Sequence, residues 1–352
     1  MTTYTPVATL RDRVFEGFSS VIGRHRTKFL FKIYDLARFD LFGRPWGNFG
    51  SIDITCRCNL HCKHCYFMEQ GYDSELSEEQ WFQKFDEWRR NGFPFYQCSW
   101  VGGEPLLRKD LVAKGMKYFK SNVIATNGTI PLPDWPDVNF YVSVDGTAEY
   151  YRQMRGRDFY ERIKKNADRP DLKVVASMVV AKNNYHCIPD LLAEWSRTAV
   201  KGIMFQFYTP IRGHTDDLWP GFELRDRILD DLLRYKKIYG DFIDLPESLF
   251  RLMKSDRCKP ITANCLYRTQ AFCYDPMGRV KRPCMMGPKA DCSRCGCVLP
   301  FHLHLLESRS LMFREMMMAM GRKLKRAHRF SRESRIGQKA HVMRQKDGDN
   351  GS

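Results

Sequence analysis

Three cysteines in one short loop pose the first chemical question. In Cys58-Asn59-Leu60-His61-Cys62-Lys63-His64-Cys65-Tyr66 the thiols fall at spacings of four and three, so one loop can turn all of them to one face. Two metal chemistries suit such a set. A closed zinc site needs a fourth protein ligand, and Cys56, His61 or His64 stands near enough in sequence to supply it. A cuboidal iron–sulfur cluster held by only three cysteines instead keeps one iron open to an outside ligand. Seven more cysteines crowd the stretch 258–297: Cys258, Cys265, Cys273, Cys284, Cys292, Cys295 and Cys297. Cys98 and Cys187 stand alone and read as small buried hydrophobes.

The rest of the chain must position these thiols. It has 352 residues, 43% of them hydrophobic and 28% charged, which suffices for a sizeable core and excludes a wholly disordered chain. An odd thirteen cysteines and the absence of a basic-then-apolar N-terminal segment argue against a secreted disulfide framework; the expectation is a cytoplasmic chain with reduced, metal-binding thiols. No apolar run reaches 18 residues, so a membrane-spanning helix is not expected. Of the formal charge of +16, residues 1–49 and 307–352 together supply +11, leaving the middle nearly balanced. That distribution makes a nucleic-acid channel through the core a poor expectation.

Between about residues 50 and 208, β-rich runs alternate with amphipathic ones. Strands are predicted at 51–55, 97–101, 122–126, 139–144, 173–180 and 203–208, and helices at 78–90, 109–120, 159–166 and 188–197. Ser77 and Gln80 spell a capping box at the start of the first helix. Such alternation predicts an α/β fold with parallel strands, its chemistry at their C-terminal ends. After Pro210 the texture changes to predicted helices at 224–239 and 246–254, then to a Gly-, Pro- and Cys-rich stretch with little periodicity. The domains expected are a basic amphipathic extension at 1–47, the α/β core at 48–210, a helical connection at 211–257, a metal-dependent cysteine-rich domain at 258–300, and a basic, Met-rich segment and disordered tail at 301–352.

The CxxxCxxC order, the aromatic Tyr66 behind it and its place after the first strand resemble the radical S-adenosylmethionine (SAM) superfamily. Further matches sit at the next strand ends: Gly102-Gly103-Glu104-Pro105, Thr126-Asn127-Gly128-Thr129, and Ser143-Val144-Asp145-Gly146, with Arg155-Gly156 ten residues on. The resemblance covers about residues 48–210 and implies an incomplete (β/α)6 TIM-like barrel. It implies a 4Fe-4S cluster on Cys58, Cys62 and Cys65, with SAM chelating the open iron. Gly102 and Gly103 would let backbone approach the methionyl amine, Glu104 would be its acidic partner, and Tyr66 would lie by the adenine. Ser143 and Arg155 would reach the ribose or the SAM carboxylate; Asn127 also belongs to the implied binding set, although it and Asp145 equally suit turns. One-electron reduction, by a donor such as flavodoxin or ferredoxin, would cleave SAM to a 5′-deoxyadenosyl radical.

The run Asp275-Pro276-Met277-Gly278-Arg279-Val280-Lys281-Arg282-Pro283-Cys284 is similar to the hairpin of the auxiliary-cluster domain called SPASM, with five residues rather than four between Gly278 and Cys284. That resemblance implies a second 4Fe-4S cluster with Cys265, Cys284, Cys292 and Cys295 as preferred ligands and Cys258, Cys273 and Cys297 as alternates; structural zinc stays open. Ser248-Leu249-Phe250, Cys258-Lys259-Pro260 and Arg282-Pro283-Cys284 with Gly287 also resemble the adenosyl-hopene transferase group, which implies an isoprenoid lipid substrate.

The two ends bear on the substrate. Leu10, Val14, Phe18, Val21 and Ile22 share one helical face near Arg11, Arg13, Arg24 and Arg26, while Met316-Met317-Met318 precedes Arg322-Lys323-Leu324-Lys325-Arg326. Apolar stripes flanked by cations suit an anionic membrane surface, and equally a cap on the core. The expectation is a radical SAM enzyme acting on a hydrophobic, isoprenoid-type lipid, with peripheral membrane contact. Peptide or protein modification is the first alternative, and a non-catalytic metal-bearing RNA-binding protein the second.

Overall fold

The structure, a computed structural model, describes residues 10–23, 26, 27, 30, 49–91, 97–213 and 217–308. The basic Met-rich tail and most of the segment 24–48 lie outside these. Contacts divide the chain into two units, Met1–Phe301 and His302–Ser352.

The first unit is built on one parallel sheet. Its strands are β1 (Phe49–Thr55), β2 (Gln97–Gly102), β3 (Ser121–Thr126), β4 (Asn139–Ser143), β5 (Lys173–Val180), β6 (Ile203–Phe207) and β7 (Phe272–Tyr274). The helices are α1 (Leu10–Ile22), α2 (Glu78–Arg90), α3 (Lys109–Gly115), α4 (Ala148–Arg155), α5 (Tyr160–Ala167), α6 (Ile188–Trp195), α7 (Gly221–Tyr239), α8 (Glu247–Leu252), α9 (Ser255–Ala263), α10 (Tyr267–Gln270) and α11 (Leu299–Glu307). The strand order is β6-β5-β4-β3-β2-β1-β7, and every pairing is parallel. A doubly wound sheet would reverse direction from its first strand; here β1 to β6 advance one way, as in a barrel left incomplete. The expected partial barrel is the observed fold.

Local sequence explains most of these elements. Ser77 caps α2 through its hydroxyl, which accepts from the Gln80 amide at 3.2 Å, while the Gln80 side chain accepts from the Ser77 amide at 2.8 Å. Trp81, Phe82 and Phe85 bury one face of α2, with Phe85 edge-on to Trp100 of β2 at 6.1 Å. Ile52 is in register with Trp100, so β1 turns Ile52 and Ile54 to that apolar layer. Ser51, Asp53 and Thr55 occupy its opposite face and are also fully buried. That inner polar row is where the strands meet the cysteine-bearing loops.

Two expectations need correction. The stretch 258–300 does not divide from the core: it supplies β7, which pairs with β1 from Gly50 through Ile52. Asp275–Arg279 then turns the chain back, and Lys281 donates from its amide to the Cys273 carbonyl at 2.7 Å. The predicted helix at 109–120 ends as α3 at Gly115 and passes through a 3-10 turn at Met116–Tyr118. On α1, Val14, Phe18 and Val21 are 42%, 51% and 82% exposed, so they do not cap the core.

Candidate active site

The CxxxCxxC loop leaves the C-terminal end of β1 and is fastened to two neighbouring strand ends and to the end of one helix. At β2, the amides of Gly103 and Glu104 donate to the carbonyls of Thr55 and Arg57, each at 2.9 Å. A Cβ on Gly102 would lie 2.6 Å from the Thr55 carbonyl oxygen, and one on Gly103 would lie 2.0 Å from that of Arg57. The glycine pair is therefore required by the loop's own backbone. At β3, Asn59 donates to Thr129 Oγ1 and Asn127 donates to Asn59 Oδ1, both at 2.8 Å. At the end of α4, the Lys63 amide donates to the Met154 carbonyl at 3.0 Å.

Each thiol has an N–H donor beside it. Asn127 Nδ2 lies 3.9 Å from Cys58 Sγ, Arg155 Nη1 lies 3.5 Å from Cys62 Sγ, and the Met68 amide lies 3.5 Å from Cys65 Sγ. Desolvation, with Cys65 adding to it, pushes the Cys58 and Cys62 thiols above their ordinary range. Among the described residues no three His, Cys, Asp or Glu groups converge at metal-ligating distance; the structure shows the three thiols as neighbours, each with its donor. Cys56 is turned away, its thiol 3.5 Å from Glu75 Oε2 and its amide donating there at 2.8 Å. His61 is exposed.

The arginine is held by Asp145, whose type and place beside a glycine equally suit a turn. Arg155 Nη2 stands 2.6 Å from Asp145 Oδ2, and His64 Nε2 reaches the same oxygen at 3.0 Å. Desolvation alone would raise the Asp145 carboxyl; Arg155 and His64 outweigh it and hold it well below the usual carboxylate range. Asp145 also makes a turn, with φ of 55°, and accepts from the Val179 amide at 2.8 Å. His64 Nδ1 and Arg155 Nε are buried without a hydrogen-bond partner. Glu104 is buried and accepts from the Leu106 amide at 3.0 Å and from Thr126 Oγ1 and the Asn127 amide at 2.8 Å each. Ser143 ends β4, half-buried.

The second set of cysteines forms a pocket near the end of β6. Cys265, Cys284, Cys292 and Cys295, the preferred set, line it together with Cys297, Thr209 and Met286. Cys273 lies instead within β7, and Cys258 is buried in α9. Burial pushes the Cys284 thiol up to about 12 and that of Cys295 to about 11. All thirteen cysteines are free of disulfides. The two cysteine regions touch: Gln70 Nε2 donates at 3.0 Å both to the Tyr66 carbonyl and to the Met286 carbonyl. Sulfur-rich, largely buried pockets free of disulfides suit thiolate-ligated metal, which would be bound with loss of the thiol protons.

Comparison with known proteins places the first of these regions. Residues 52–193 match the family model of the radical SAM superfamily. This chain carries a radical SAM domain. It holds Cys58, Cys62, Cys65 and every later strand-end motif through Arg155. The Fe-coproporphyrin III synthase of Methanosarcina barkeri is 34% identical over 165 residues, covering 40% of each chain. The sporulation killing factor maturation protein SkfB of Bacillus subtilis is 26% identical, covering 41% of this chain and 38% of that one. The match thus spans about two fifths of the length of these curated relatives. Streptococcus suis SuiB bound to its precursor peptide SuiA is 14% identical with a TM-score of 0.53, covering 88% of this chain and 74% of that one, a likeness of fold.

Proposed function

We propose that this chain is a radical SAM enzyme with a second metal–thiolate site, acting on a peptide. The carrying observation is the three-thiol set. Glu75 takes Cys56 and Asp145 takes His64, which leaves Cys58, Cys62 and Cys65 as the loop's thiol ligands, with His61 exposed beside them. That donor set favours a cluster with one exchangeable iron over a closed zinc knot. A one-electron-reduced 4Fe-4S cluster bound there would supply the electron that cleaves SAM to methionine and a 5′-deoxyadenosyl radical.

The chain's own residues then have distinct tasks. Cys58, Cys62 and Cys65 hold the cluster, and the N–H donors of Asn127, Arg155 and Met68 stabilise negative charge on their sulfurs. Glu104 fixes the ends of β2 and β3 against each other, and Asp145 fixes Arg155. Gly102, Gly103, Ser143 and Tyr66 face SAM in this reading. Cys265, Cys284, Cys292 and Cys295 hold the second metal, a 4Fe-4S cluster in preference to zinc. A flavodoxin or ferredoxin delivers the electron.

A peptide substrate is supported by the SuiB likeness, which extends well beyond the radical SAM domain, and by SkfB, a maturation protein. A second reading, an isoprenoid-type lipid substrate, is favoured by the exposed Val14, Phe18 and Val21 of α1. Anaerobic reconstitution tests the enzyme: the expected load is about eight irons, falling to about four when Cys58, Cys62 and Cys65 become Ala. With dithionite the protein should form 5′-deoxyadenosine. A preparation that holds zinc, takes up no iron and is inert to SAM would overturn the proposal. A mass change in a precursor peptide encoded beside this gene would decide for the peptide; turnover of an isoprenoid lipid alone would decide for the second reading.

A further inference from the structure

Arg225 of α7 is an unusual buried charge. It is 1% exposed, and its guanidinium lies 5.0 Å from the Phe207 ring and 5.8 Å from that of Phe301. Nη1 donates to the Cys295 carbonyl at 2.8 Å, while Nε and Nη2 have no hydrogen-bond partner. Among the described residues no carboxylate pairs with it. Its neighbour Asp226 is engaged by Ser255, whose amide donates at 2.9 Å and whose hydroxyl donates at 2.5 Å. A buried guanidinium without a counter-charge is strongly disfavoured. Besides Asp226, which acts on it from the next position without pairing, the groups near enough to act on Arg225 electrostatically are the sulfurs of Cys258 and Cys295.

We propose that Arg225 is the buried counter-charge of an anionic metal–thiolate group on the C-terminal cysteines. Four thiolates around a divalent zinc, or around an oxidised 4Fe-4S cluster, leave a net charge of about −2. One guanidinium, stacked between two rings and fixed to the carbonyl of a proposed ligand, offsets part of it. Arg225 is a positioning and charge-balancing residue; it ligates nothing. The inference rests on the second-site reading above and deepens it.

The test compares the wild-type chain with Arg225→Met and Arg225→Lys, each reconstituted anaerobically either with iron and sulfide or with zinc alone. The proposal expects a change of sign. Loaded Arg225→Met melts below loaded wild type and releases C-terminal metal to a chelator at least tenfold faster. Without metal, Arg225→Met melts no lower than wild type, because an uncompensated buried charge has gone. Arg225→Lys restores most of the retention. In the iron arm the second cluster's midpoint potential moves negative in Arg225→Met; retention in the zinc arm alone identifies zinc as the occupant. Equal loss of melting temperature with and without metal would reduce Arg225 to ring stacking and overturn the proposal. Unchanged retention would overturn it too. A wild-type chain that binds no metal beyond its first site, with Cys284→Ala indistinguishable from it, would instead overturn the second-site reading itself.

Discussion

Asp145 does two jobs: it closes a turn in the left-handed region, and it is the buried partner of Arg155. Replacing Arg155 by Met leaves that carboxylate with His64 and the Val179 amide and removes the donor to Cys62. Breaking one side of a buried pair costs about 3–5 kcal/mol, which denaturant titration at pH 7 should register. The sign with pH follows from the lowered Asp145 pKa. Its stabilising share is present above the unfolded value of 3.8 and is lost as pH falls below it, so the gap between wild type and Arg155→Met should narrow in acid. A constant gap would show that the pair is not the source. At this scale the cysteines, glycines and Arg155 were legible because their types and order are restrictive. The task of Asp145 was not, since a short carboxylate beside glycine reads as a turn whether or not it also holds an arginine across the loop.

At the level of elements, β7 was missed for a physical reason. It is three residues long and lies in a stretch without period, and it is a strand only because β1 offers it an edge far away in sequence. The six other strands announce themselves locally by β-rich runs between amphipathic helices. What fastens β7's hairpin is the fully buried pair of Lys281 with Asp53 of β1. Desolvation raises the Asp53 carboxyl to about 6 in spite of Lys281. A raised folded-state pKa means that this group's stabilising share is present below the unfolded value of 3.8 and is lost as pH rises through about 6. Wild type should therefore lose melting temperature relative to Asp53→Asn across that window. Lys281→Met should cost about 3–5 kcal/mol at pH 7, and less at pH 4, where Asp53 can take up a proton. A penalty independent of pH would point to packing alone.

Across the whole molecule, charge and apolar exposure are separated from the balanced centre. The cations of 309–329 lie outside the described residues, but α1 exposes an apolar face beside its own arginines. If these ends serve an anionic lipid surface, the chain should co-sediment with vesicles rich in phosphatidylserine and release them as salt rises. Each basic side chain near such a surface contributes about 1 kcal/mol. Changing Arg322, Lys323, Lys325 and Arg326 to Gln should weaken that binding and leave SAM cleavage unchanged. Equal, negligible sedimentation with anionic and neutral vesicles would remove the lipid reading.

The position of β7 beside β1 also has a temporal meaning. The ribosome finishes β1 at Thr55 and reaches Phe272 more than two hundred residues later. At about 5–20 residues per second that is roughly 10–40 s during which β1 keeps one unpaired edge. An uncovered edge strand is a template for pairing with another chain, and polysomes hold copies of the nascent chain side by side. A chain stopped at residue 257 would keep that edge for good. Its expected fate is aggregation, however complete its radical SAM motifs, which makes the cysteine-rich stretch a chaperone of the first strand.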